Sequence, residues 1–181
     1  MIRFKILSLC FALFTPTLGL VSDHSDVFTV DISKMLKFTN FGKYILTEHN
    51  KSRLKLQREN DILESELLIE EKLLSELRKT LAADEFLKKA IAFDEKVSDI
   101  RLNQAKKEEI LNDQFKKEEA EFFKAIYPIL FQIVSEQGGM ILLDQRNVVL
   151  FDSSIDITQD AIEMIDRVLG DGIVSDGKMI E

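Results

Sequence analysis

The sequence predicts a mainly α-helical protein: a long antiparallel helical hairpin, coiled-coil-like, standing on a small β body. Three observations carry this. Between about Lys34 and Val134 the only proline is Pro128 and the only glycine is Gly42, so this stretch must be mostly helix. Leu67, Leu74 and Leu81 recur at heptad spacing, with Leu63 and Leu77 completing a partial a/d stripe. After Gln137-Gly138-Gly139 the pattern changes to short apolar runs of strand length.

The chain begins with a short basic segment, Met1 to Lys5, and an apolar run from Ile6 to Leu20, followed abruptly by polar Ser22 to Asp26. This pattern is a secretory signal peptide, and residues 1–22 are expected to be removed. The single cysteine, Cys10, lies inside it, so the mature chain would have neither a disulfide nor a catalytic thiolate. The remaining residues are expected to form one domain over 23–169, with a tail over 170–181.

Within that domain, residues 23–33 and 136–169 form the body and 34–135 the arm. Phe28 to Ile32 alternates apolar and polar residues and predicts a strand, with Ser33 as the cap of the following helix. A single straight helix of roughly 100 residues would reach about 150 Å with one narrow apolar stripe. Folding back lets each half cover the other's stripe, which places a bend near Thr80 to Glu85 with Asp84 as a cap. Met140 to Leu143 and Asn147 to Phe151 are expected to pair as a β-hairpin. An amphipathic helix follows from Asp156 to Leu169, capped by Thr158 or Asp156 and stopped by Gly170.

The composition excludes several functions. The chain carries 24 basic and 32 acidic side chains, a net charge of -8, which disfavours binding to nucleic acid and to anionic lipid surfaces. The two histidines, His24 and His49, lack metal-ligand spacing, and no residue is nominated as a catalyst, a metal ligand or a cofactor contact. The expectation is a protein that is not an enzyme and needs no cofactor. Its charge runs, such as Lys51, Arg53, Lys55 and Arg58, read as solvated helix faces. The phenylalanines are more frequent than a two-helix seam requires. Phe86, Ile91, Phe93, Val97 and Phe115 are therefore the candidate residues for contact with a bound polypeptide.

Several segments together resemble a known family. They are Val30-Asp31 before a Lys-rich helix start, Leu81 to Phe86, Ala92-Phe93-Asp94, Tyr127 to Leu130, Gly138-Gly139, Leu142 to Asp144, Val148-Val149, and Ile155-Asp156-Ile157-Thr158. From about Val27 to Leu169 the chain resembles the Skp (OmpH-like) periplasmic chaperones. The resemblance implies a jellyfish-shaped homotrimer, with strands of three subunits forming the body and three arms enclosing a cavity. Val30, Ile32, Ile141, Leu143, Val149 and Phe151 are the candidate residues of that trimer body. It implies ATP-independent holding of unfolded outer-membrane or other periplasmic proteins. The acidic balance departs from the basic character of familiar members and argues against lipopolysaccharide contact. The alternative is a structural or regulatory coiled coil of the cell envelope with one specific partner.

Overall fold

A computed structural model describes residues 26–172. The expected signal peptide and most of the expected tail lie outside the described residues. In chain order the elements are β1 (Val27–Val30), α1 (Ile32–Phe38), α2 (Asn40–Leu77), α3 (Ala83–Glu136), β2 (Ile141–Asp144), two short 3-10 turns (Gln145–Asn147 and Ser153–Ile155) and α4 (Thr158–Leu169).

The body is assembled from both ends of the chain. β1 pairs with β2 in parallel, Val27 opposite Ile141 and Val30 opposite Asp144. The other side of β1 is met by the segment entering α4: the Ile157 N–H donates to the Thr29 carbonyl at 3.0 Å. β1 is thus the centre of the sheet, while the outer side of β2 has no strand beside it among the described residues. α4 packs against α1, α3 and the start of α2. Its Asp166 carboxylate accepts from the Asn40 N–H at 2.7 Å, and the Thr158 hydroxyl accepts from the Asp31 N–H at 2.9 Å. These two bonds fix the last helix to both helix starts in the N-terminal segment.

The core lies wholly in this body. Phe41, Ile45, Phe122 and Ile126 are fully buried where α2 and α3 leave the base, with Met35, Val30 and Ile165 around them. Phe41 and Phe122 meet edge to face, with ring centroids 5.3 Å apart. Between Ile45 and Phe122 no residue is buried. The arm has a half-buried seam, Leu56, Leu63, Leu67, Leu74 and Leu77 on α2 against Phe86, Phe93, Val97, Ile100, Leu111 and Phe115 on α3.

Local chemistry moved several boundaries from their expected places. The first strand ends at Val30, because Asp31 accepts the Lys34 N–H at 3.0 Å and caps α1 in place of Ser33. Ile32 therefore opens a helix instead of closing a strand. The long first helix is broken at Thr39, whose hydroxyl accepts from the Gly42 N–H at 3.1 Å while donating to the Met35 carbonyl at 2.7 Å. That close approach of α1 to α2 requires glycine: a Cβ on Gly42 would run into the Leu36 backbone. The arm turns over residues 78–82, and Asp84 lies in the first turn of α3 instead of capping it; the cap position is Ala82, with no side-chain bond. Asp84 still faces the positive end of the helix dipole. Asp156, and not Thr158, accepts at the start of α4, leaving the Thr158 hydroxyl for Asp31.

The expected β-hairpin does not form. Asp144 accepts from the Arg146 N–H at 3.0 Å and closes a 3-10 turn, which carries residues 148–151 away from Ile141–Asp144 with no strand assigned to them. β2 is instead taken up by β1, a pairing that covers Phe28 and half-buries Leu142. Gly138, at φ 75°, ends α3 as expected, and Gly170, at φ 58°, ends α4.

Candidate interaction surface

Two surfaces stand out, one on the body and one on the arm. Along β2, Leu142 and Asp144 turn toward the protein while Ile141 and Leu143 face outward, as period-two alternation requires. Val149 and Leu150 are almost wholly exposed, and Met140 and Phe131 are about three-quarters exposed. An open groove of ≈ 550 Å³ connects this area to Tyr127, Leu130 and Val134 on α3. Exposed apolar patches beside strand edges generally mark sites of association. At its margin the Arg146 guanidinium donates twice to one Asp144 oxygen, at 2.9 and 2.6 Å, and holds that carboxyl below its usual range.

The candidate body residues divide accordingly. Ile141, Leu143 and Val149 are exposed, and Ile32 and Phe151 are half-buried. Val30 is 1 % exposed and already belongs to the core of one chain.

On the arm, the two sides of the seam differ chemically. One side carries ion pairs between the helices, Glu59 with Lys107 and Glu70 with Lys96. The Glu59 carboxyl is held below its usual range, first by the hydrogen bond from Lys107 and then by the one from Gln104. The other side is indented. A depression of ≈ 590 Å³ runs from Asn50 and Asn112 to Asn60, and one of ≈ 650 Å³ continues from Asn60 to Glu71 and Phe93. Leu56, Leu63, Leu67, Phe93 and Ile100 form its floor.

Of the candidate contact residues on the arm, the structure brings Phe93 and Val97 together in this groove. Phe86 is half-buried in the seam nearer the arm tip. Phe115 is half-buried near the base, where His49 stacks on its ring at 4.2 Å. Ile91 is half exposed, off the seam. Sequence reading missed four of the amide side chains of the groove, Asn50, Gln57, Gln104 and Asn112. Asn60 stands out in the sequence as a polar residue in the leucine stripe, and extending the heptad count to Gln104 on α3 would have aligned the two. Ile62, Ile69 and Leu73, more than half exposed on one flank of α2, also went unnoticed for want of a seam to place them in.

Among the described residues no group of acidic, histidine or cysteine side chains could hold a metal ion. No described helix is long and apolar enough to cross a membrane.

The fold and both surfaces can be set beside known proteins. The family profile described as outer membrane protein (OmpH-like) matches residues 26–165. The chain belongs to that OmpH-like family. This match covers body and arm together, so the family assignment rests on the whole architecture and not on the heptads alone. Among solved structures, the chain is similar to one titled as a candidate OmpH-like outer membrane chaperone from Caulobacter crescentus. The TM-score is 0.72 at 16% identity, over 86% of this chain and 92% of that one. At that identity the likeness is one of fold. No curated protein matches the sequence.

Proposed function

We propose that this OmpH-like protein is an ATP-independent holdase of the periplasm, which binds unfolded outer-membrane or other envelope proteins and keeps them from aggregating. The observation that carries the reading is the arm, a helical hairpin in which no residue between Ile45 and Phe122 is buried. So long a projection without a core of its own contributes little to stability, and its use lies in the surface it presents. Membership of the OmpH-like family and the fold shared with a candidate outer membrane chaperone support the same reading. In it, three chains associate through the exposed apolar face around Ile141, Leu143, Val149 and Leu150, each offering the open edge of β2. The three arms then surround one client, and many weak contacts suit a varied set of clients. The work is done by binding alone, without catalysis.

The test is dilution of a urea-unfolded outer-membrane barrel protein into buffer containing the mature chain, followed by light scattering. The reading expects suppression that saturates at about three chains per client. Unchanged scattering from a folded, helical protein would refute it. So would full protection by a variant whose arms are cut short.

A further inference from the structure

The arm groove has a chemistry of its own. Asn50, Gln57, Asn60 and Asn112 line it, and among the described residues none of these four side chains makes a hydrogen bond. Gln104 donates its amide to Glu59 at 3.2 Å, across the seam, and its Oε1 is buried without a partner, the one such side-chain atom among the described residues. Unsatisfied polar atoms of this kind are rare and call for an explanation. Each carboxamide supplies both a donor and an acceptor, the complement of a peptide N–H and C=O. A plain two-helix coil would place charged or aliphatic residues here, as the opposite side does with its ion pairs.

We propose that this groove binds an extended segment of unfolded polypeptide through its main chain, with the amide side chains pairing to backbone groups and the leucine and phenylalanine floor covering alternate apolar side chains. The inference rests on the reading that the chain holds unfolded proteins, and it assigns where and by which groups. Recognition by main chain explains tolerance of sequence, because every polypeptide offers the same N–H and C=O pattern. Length agrees. From Asn50 to Glu71 the groove follows about 32 Å of α2 at 1.5 Å per residue. That distance accommodates roughly ten residues of extended chain, about one membrane-spanning strand of a β-barrel. The rim carries both signs with an acidic balance, Arg53 and Arg101 against Glu64, Glu71, Asp94 and Glu108, so strongly acidic segments are disfavoured.

The experiment uses the mature full-length chain and a fluorescent ten-residue peptide of alternating apolar and polar residues. Three further probes accompany it: the same peptide N-methylated at alternate positions in either phase, and a scrambled version that keeps the alternation. Binding is read by anisotropy. The groove predicts that N-methylation in one phase weakens binding by roughly tenfold or more, as two or three lost hydrogen bonds would, while scrambling changes little. A Q57A/N60A/N112A variant, which keeps good helix formers on an exposed face, should lose the same factor for the parent peptide and show no further loss on N-methylation. An L87Q/L102Q/I110Q variant, altered on exposed α3 positions outside the groove, should bind as the native chain does. Equal affinity for all peptides, or a Q57A/N60A/N112A variant that binds the parent peptide unchanged, overturns the proposal. If such a variant still suppresses aggregation of the unfolded barrel protein, only the groove is refuted. If the native chain suppresses nothing, the holdase reading fails with it.

Discussion

Phe122 and Phe93 lie on the same helix, and replacing each by alanine measures how stability is divided between body and arm. Phe122 is fully buried and makes edge-to-face contacts with Phe41 and Phe123, both at 5.3 Å between centroids. Truncating a buried phenylalanine costs about 3–5 kcal/mol, and edge contacts of this kind are worth about 1 kcal/mol beyond the area. F122A belongs at the upper end, about 4–5 kcal/mol. Phe93 is half-buried on the groove floor, with room for water to fill the space. About half the cost is expected for F93A, roughly 2 kcal/mol. Urea unfolding followed by circular dichroism reads both, at one protomer concentration so that association does not enter the comparison. F122A should lower the midpoint about twice as far as F93A. Equal shifts, or a larger one for F93A, would mean that the arm seam carries the fold, and the division between core and projection would be wrong.

Other perturbations test separate joints. Thr39→Ala removes the cap of α2 and the bond to the Met35 carbonyl in one step, and should cost about 1–2 kcal/mol in the same urea assay. Because folding holds the Glu59 carboxyl below its usual range, the ion pair to Lys107 contributes above the unfolded-state value and is lost as pH falls through the folded one. Lys107→Met should therefore raise the midpoint of the Glu59 carboxyl resonance in an NMR titration; an unmoved midpoint would show the pair to be absent in solution. Val149→Asp with Leu150→Asp alters only exposed side chains. The double variant should sediment as a monomer while keeping its helical spectrum, and an unchanged assembly would exclude this face from the interface.

The arm was legible because helical periodicity is a local property. The run from Lys34 to Val134 lacks breakers, and its leucines fall on one face whatever the rest of the chain does. The turn, at residues 78–82, falls beside its expected place although no glycine marks it. The body was harder to read, because its pairings join residues far apart. Ile141–Asp144 reads as one strand of a hairpin from its own neighbourhood; that the first strand joins the same body follows from the arm returning to its base, but that β1 displaces the hairpin partner is decided by tertiary packing. Ser33 was a plausible cap by type, yet Asp31 takes that role, while at α4 the cap position falls on Ile157 and Asp156, one of the two expected residues, accepts from the Thr158 N–H. Most of the groove amides escaped notice for a similar reason. Asparagine and glutamine look like ordinary helix-surface residues until α2 and α3 are laid side by side.

Parallel pairing of the first strand with the second has a consequence for the order of events in folding. A chain emerging N-terminus first exposes Val27–Val30 long before Ile141 exists to meet it. Closing so long a loop from a disordered chain is entropically costly. Once α2 and α3 have zipped together from the turn at residues 78–82, however, the two ends are already neighbours. The arm is then the jig on which the body is closed, and until it has formed, the β1 strand of one newly made chain is free to capture the β2 of another.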